Sequence, residues 1–273
     1  MSSPVPTIDR PTPEPPPRRR LGWVILVVAA LVAGVTVVVI GLDRLSTPPP
    51  APVPPPPGFA VPELNAAPGA TVPTAAAIAK GEGTATIEVW ADRLSEKTEI
   101  PARSLVAYAR AEVAIRSSDP DCKINWATLA GVGRVESHHG RYNGTSIGDD
   151  GILTPPIIGI PLDGSPGVKA IADTDGGRLD GDTTWDRAVG AMQFLPTTWA
   201  RWGVRENGDG ASPDPQDIDD AALSAAGYLC ASGGDLSSAA GWWQAVLTYN
   251  ESVTYGRNVF DGADAYARAA ANL

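Results

Sequence analysis

Polar and apolar positions divide the chain into unlike parts. Residues 1–20 are dominated by Pro, Ser and Thr and end in Arg18-Arg19-Arg20, which reads as a disordered tail. Leu21 to Leu42 follow, 22 residues without one charge. At ~1.5 Å per residue such a helix reaches ~33 Å, enough to cross a hydrocarbon core. A signal peptide has a shorter apolar region, ~7–15 residues, and then a small-residue cleavage site. Here Asp43-Arg44 and prolines come next, so the run is expected to be an uncleaved transmembrane helix. The three arginines place the N-terminus in the cytoplasm. That predicts a single-pass type II protein of the cell membrane with everything after residue 43 outside. Residues 43–77 carry Pro48-Pro49-Pro50 and Pro54 to Pro57 and are expected to form an extracytoplasmic linker of polyproline II character.

From about residue 78 the pattern becomes globular. Leu105, Tyr108, Ala109, Val113 and Ile115 fall near one face of a helix expected over Pro101 to Ser117, with Pro101 suited to its first turn. Asn125 is placed to cap a second helix that runs from Trp126 through Glu136 and stops at Gly140. Residues 141–187 are rich in Gly, Asp and Pro and read as loop. Further helices are expected over Pro196 to Trp202, Asp217 to Ser232, Leu236 to Tyr249 and Gly262 to Ala270. No series of alternating strands stands out. Residues 78–273 therefore read as one mainly α domain with a long loop.

Charge sharpens this division. Residues 1–75 hold five basic and four acidic residues, whereas residues 76–273 hold 16 basic and 27 acidic, a net of −11. Counterion release needs Lys and Arg facing phosphates, so this balance argues against a nucleic-acid partner. Two Cys and two His leave little room for a structural zinc site. In an extracytoplasmic domain Cys122 and Cys230 are expected to form a disulfide, the alternative being two buried thiols.

Several motifs are set aside. Gly144-Thr145-Ser146-Ile147-Gly148 matches a nucleophile-elbow pattern, but it sits in loop and both His, 138 and 139, precede it. Adjacent histidines also lack the spacing of a zinc protease. What remains is a constellation of three segments: Val135-Glu136-Ser137-His138-His139-Gly140, then Gly190-Ala191-Met192-Gln193-Phe194-Leu195-Pro196, then Leu247-Thr248-Tyr249-Asn250. In this order and at these intervals the chain resembles the lytic transglycosylases of bacterial cell walls, over about residues 100–260. That family has a goose-type lysozyme (SLT) core with Glu-Ser, Gly-x-Met-Gln-x-x-Pro and Ala-Tyr-Asn motifs. Asp173-Thr174-Asp175 to Asp186, Arg187-Ala188-Val189 and Tyr228-Leu229-Cys230 with Gly233-Gly234-Asp235 resemble its membrane-anchored actinobacterial branch. Thr248 stands where Ala is usual.

The resemblance implies a lysozyme-like catalytic domain acting on peptidoglycan glycan strands. By the family mechanism one Glu, here Glu136, protonates the leaving oxygen of the MurNAc–GlcNAc β-1,4 bond. It then takes the proton of the C6 hydroxyl, which closes a 1,6-anhydro ring. Burial raises a carboxyl towards neutral pH, and Leu129, Val132 and Val135 before Glu136 suit that need. Intramolecular attack dispenses with a second carboxylate, and the chemistry requires no cofactor. Gln193 and Asn250 are expected to bond substrate polar groups, Tyr249 to orient Glu136 or a sugar, and Ser137 to bond near the reacting sugar. Met192 and Phe194 are expected to line the cleft, with Trp185 as a stacking platform.

Two acidic loops stay open. Asp173, Asp175, Asp180 and Asp182 are spaced around glycines in a way that suits calcium, or a solvated loop of Asp-based turns. Glu206 to Asp217 poses the same choice. Asp182 or Asp186 is also a candidate second carboxylate, which would favour a hydrolytic muramidase. The remaining readings are a non-catalytic glycan-binding scaffold and a calcium-dependent adhesion module.

Overall fold

The computed structural model describes residues 58–76 and 84–273. The expected tail and transmembrane helix therefore lie outside the described residues. Among the described residues no helix is long and apolar enough to cross a membrane.

The described residues form seven α-helices and one short hairpin, which bears out a mainly α domain. Helix α1 (Thr84–Thr98) was not anticipated, although Ile87, Ala91 and Leu94 recur at helical spacing and are buried. Helix α2 (Ala102–Ser118) starts after Pro101, as its pattern predicts. Helix α3 (Trp126–Ser137) is capped by Asn125, whose Oδ1 accepts from the Thr128 N–H at 2.8 Å. It ends before Gly140 because His138 and His139 take the left-handed conformation, with φ 50° and 62°. Their N–H groups close the helix on the Arg134 and Gly133 carbonyls.

The expected loop contains β1 (Ser146–Ile147) antiparallel to β2 (Leu153–Thr154), in the register Ser146 to Thr154. Single bridges join Ile158 to Val189, Asp163 to Ala170 and Ala172 to Trp185. Helix α4 (Pro196–Trp202) has proline in its first turn. Helices α5 (Ile218–Gly233) and α6 (Ala239–Tyr249) are capped by the side chains of Asp217 and Ser238. Helix α7 (Val253–Ala270), capped by Ser252, begins nine residues before the expected start at Gly262. Gly256 and Gly262 look like breakers in sequence but serve close packing. A Cβ on Gly256 would lie 2.9 Å from the Trp243 ring.

The core forms around α3. Its residues Trp126 to Gly133 are all buried. It packs on α7 through Gly131, where a Cβ would sit 2.5 Å from the Val259 carbonyl. Beside it, a Cβ on Gly133 would sit 2.1 Å from the Tyr108 hydroxyl of α2. Helix α5 packs between α2 and α6.

Residues 58–76 of the expected linker are not a free spacer but lie on the domain, and its other residues lie outside the described ones. Phe59 stacks on Tyr266 with ring centroids 5.4 Å apart. The Leu64 N–H donates to Asp261 at 3.1 Å, and the Trp243 indole donates to the Ala70 carbonyl at 3.2 Å. Val72 reaches the core. Apolar residues dispersed among prolines supply these anchors without helical or strand periodicity.

Cys122 and Cys230 form the expected disulfide, with Cα atoms 5.3 Å apart. It ties the α2–α3 connection to the last turn of α5 across 108 residues. Replacing both cysteines by alanine should lower the unfolding free energy by about 2–4 kcal/mol. Urea titration of the two proteins measures this as a lower midpoint, and equal midpoints would contradict it.

Candidate active site

Glu136 lies in the last turn of α3, and its partly buried side chain faces a groove of about 520 Å³. Gln193, Phe194, Tyr249 and Asn250 line the same groove. Four of the expected site residues thus meet the candidate acid. Desolvation pushes the Glu136 carboxyl up to about 7, since burial disfavours its charged form. A hydrogen bond from the Tyr255 hydroxyl to Oε1, 2.5 Å long, pulls in the other direction and is the weaker effect. The carboxyl is therefore substantially protonated at neutral pH.

Tyr255 was not anticipated. It sits in the first turn of α7, which the apolar pattern alone did not place there. The available signal was Ser252, an N-cap residue three positions earlier. Burial, and then the nearby Glu136 charge, hold the Tyr255 and Tyr249 phenols well above the ordinary tyrosine range. Both hydroxyls therefore act as donors.

The segment after Val189 is a tight turn that carries Gln193. Val189 and Phe194 exchange both backbone bonds, at 2.9 and 3.0 Å. Gly190 has φ +78°, and a Cβ there would lie 1.8 Å from the Pro215 carbonyl, so only glycine fits. Gln193 is itself left-handed, with φ 49°. Its side-chain amide donates to the Gly190 carbonyl at 2.9 Å, which turns Oε1 to other partners.

Two expectations for this region are corrected. Ser137 is 1% exposed. Its hydroxyl donates to the Ala191 carbonyl at 2.5 Å and accepts from the Gly140 N–H at 2.8 Å. It clasps the end of α3 to the turn and presents nothing to a substrate. Met192 is fully buried and packs in the core rather than lining the cleft. Only its carbonyl serves the site, by accepting from the Tyr249 hydroxyl at 2.7 Å. Tyr249 thus orients the turn, while Tyr255 contacts Glu136.

Aromatic surface is also placed differently. Trp185 is not among the groove-lining residues. It sits at the bridge to Ala172, with its N–H bonded to Asp182. Tyr228 lines the groove instead. Its ring lies 5.5 Å from Tyr249, and Tyr249 lies 5.9 Å from Phe194. The half-buried Tyr228 and Tyr249 rings can offer faces to sugars, whereas Phe194 is buried and packs beneath them.

The candidate second carboxylates are occupied elsewhere. Asp186 is buried and accepts from the Thr174 N–H and hydroxyl at 2.9 and 2.7 Å. Asp182 pairs with Arg187 at 2.8 Å, and the Thr184 and Trp185 N–H groups with that guanidinium hold its carboxyl below the ordinary value. Neither lines the groove, whereas the exposed Glu251 does.

The expected calcium set is not gathered. Asp180 accepts from the Arg187 N–H, and Asp182 faces the Arg187 side chain. Asp173 and Asp175 instead approach Asp186, with oxygens within 4.8 Å of one another. Two of the four expected aspartates, Asp173 and Asp175, thus share a cluster with Asp186. Asp173 already accepts from three successive N–H groups, those of residues 175, 176 and 177. In the second acidic loop Arg205 binds Asp209, Asp217 and Asp220 at 2.8–3.0 Å.

Residues 169–246 match the family described as Transglycosylase SLT domain. The match supports a lytic transglycosylase of the SLT, lysozyme-like superfamily. It takes in the Gly190–Pro196 turn and Tyr228 but leaves Glu136, Tyr249 and Tyr255 outside. No curated protein and no solved structure matches the chain.

The Tyr255 bond favours ionised Glu136, so Tyr255→Phe should raise the Glu136 pKa further. Carbon NMR titration of the glutamate carboxyls should show a transition near 7 moving upward in the variant. A downward shift would show that Tyr255 does not act on the carboxylate.

Proposed function

We propose that the protein is a peptidoglycan lytic transglycosylase that cleaves the MurNAc–GlcNAc β-1,4 bond with formation of 1,6-anhydro-MurNAc. The SLT match supports the coarser statement, a transglycosylase-type function on peptidoglycan. The observation that carries the finer one is Glu136, a single carboxyl held up to about 7 in the groove.

In this reading Glu136 is first the general acid. Tyr255 donates to Oε1, so the transferable proton resides on Oε2 and faces the leaving oxygen. The resulting carboxylate then accepts the C6 hydroxyl proton as that oxygen closes on C1. A pKa near the working pH suits both transfers. The intramolecular nucleophile supplies an effective-molarity advantage in place of a second carboxylate. Gln193 Oε1 and the Asn250 amide bond N-acetyl or hydroxyl groups, and the Tyr249 and Tyr228 rings hold sugar faces.

The site is proposed to work outside the membrane, anchored through Leu21–Leu42. The disulfide fits an oxidising compartment. Membership of an actinobacterial branch rests on the resemblance of the loop and α5 sequences.

A hydrolytic muramidase is the second reading, favoured by one observation: Glu251 is a further carboxylate in the groove. Mass spectrometry of products from purified sacculi separates the two. Anhydro-muropeptides are expected, reducing ends would establish hydrolysis, and absence of turnover would leave a glycan-binding scaffold. Glu251→Gln should retain turnover.

Glu136→Gln should lower turnover at least ~10²-fold, the usual scale for a general acid–base, while glycan binding persists. Stability supplies an independent reading. The folded pKa of Glu136 lies above its unfolded value, so its contribution is fully present below about 4.5 and is lost as pH rises through about 7. Glu136→Gln should therefore be more stable than the parent at pH 8, by about 1–2 kcal/mol after allowance for partial exposure. Equal denaturation midpoints at pH 8 would contradict the raised pKa.

A further inference from the structure

The groove carries few fixed charges. Beside Glu136, its charged lining residues are Lys169 and Glu251. Lys169 is exposed and makes no ion pair or hydrogen bond among the described residues. Arg103, Arg187 and Arg205, by contrast, each pair with aspartates.

Its position is built, not incidental. Asp163 and Ala170 pair across a turn in which the Val168 N–H donates to the Ser165 carbonyl at 2.8 Å. Asp163 caps that turn by accepting from the Ser165 N–H at 2.9 Å. The Ile171 N–H then closes on the Leu162 carbonyl at 2.8 Å. Leu162 and Ile171 both line the groove, so the hairpin sets two apolar side chains and one ammonium along a single wall.

Neutral sugar rings need no cation. Hydroxyl and N-acetyl groups are served by Gln193, Asn250 and aromatic faces. An ammonium on the groove wall without a protein partner is suited to an anion on the ligand. We propose that Lys169 binds a carboxylate carried by the substituent of the glycan strand, so that the groove selects acid-bearing strands over uncharged glycans. This rests on the glycan-cleaving reading given above. Two sources share the chemistry. On a peptide-free muramyl residue the lactyl carboxylate is free. On a peptide-bearing strand that group is an amide, and the carboxylates are those of the peptide.

Binding is measured in the full chain carrying Glu136→Gln, with three probes: peptide-bearing glycan strands, amidase-stripped strands and chitohexaose, which has no carboxylate. An exposed pair is worth up to ~1 kcal/mol, so the preference for acid-bearing strands should be about fivefold. Adding Lys169→Met should remove it, and Lys169→Arg should keep it. Removal confined to peptide-bearing strands assigns the peptide carboxylate, and removal confined to stripped strands assigns the lactyl group. Absence of any preference, or a preference that survives Lys169→Met, overturns the proposal. Turnover of sacculi by the unmodified chain is read in parallel. No turnover with a Lys169-dependent preference removes the enzyme reading alone. Turnover with a preference independent of Lys169 removes only the present inference.

Discussion

The desolvation of one carboxyl at the end of α3 governs the rest of the molecule. A glutamate at a helix end is ordinarily solvated and ionised at neutral pH. Holding Glu136 near neutrality requires walls that exclude water without pairing the carboxyl to a cation. Those walls come from three places in the sequence. The Gly190–Gln193 turn is clasped to α3 by Ser137, Tyr249 holds the same turn through the Met192 carbonyl, and Tyr255 of α7 closes on Oε1. Each is an uncharged donor, so the carboxyl is oriented without being forced to ionise.

The arrangement depends on close approach of backbones. Helix α3 meets α7 at Gly131 and the Tyr108 ring at Gly133. Larger residues there would push Glu136 away from Tyr255 or from the turn. Strain gathers at the same place, since His138, His139 and Gln193 all adopt positive φ, which costs a non-glycine residue free energy. Surrounding contacts hold them there. His139 is buried between the Tyr108 and Tyr266 hydroxyls at 3.3 and 3.0 Å, and burial pushes its imidazole down to about 3. It is a neutral strut that couples α2, the end of α3 and α7. Phe59 stacks on the same Tyr266, so the segment before α1 reaches the rear of the site.

What was legible in sequence follows from where the information resides. Caps and apolar spacing gave α2, α3 and α5 closely, because Asn125 and Asp217 act locally. Glu136 and the Gly190 turn stood out as parts of an ordered constellation. Side-chain direction did not. Ser137 and Met192 sit within the motifs yet face inward, and no spacing distinguishes a residue that supports the groove from one that lines it. Tyr255 was hidden because the helix was expected to begin only at Gly262, and Gly256, which breaks helices in isolation, permits packing here. Residues 58–76 were read as spacer because their anchors follow no period, only the shape of α7.

The acidity of the domain acquires a structural meaning on the same terms. The groove wall between β2 and α4 contains almost no regular secondary structure, so its backbone N–H groups need other acceptors. Asp163, Asp173, Asp175, Asp180 and Asp182 provide them by bonding N–H groups two to four residues ahead. Arginines then bind two of the same carboxylates from the side, Asp175 and Asp182. Aspartate is used as building material for a rigid wall, which explains why these carboxylates turn away from the groove while Glu136 faces it. Negative charge collected in this way would repel an acidic ligand, unless a cation stands where that ligand must lie. Lys169, carried on a hairpin that Asp163 caps, occupies such a position.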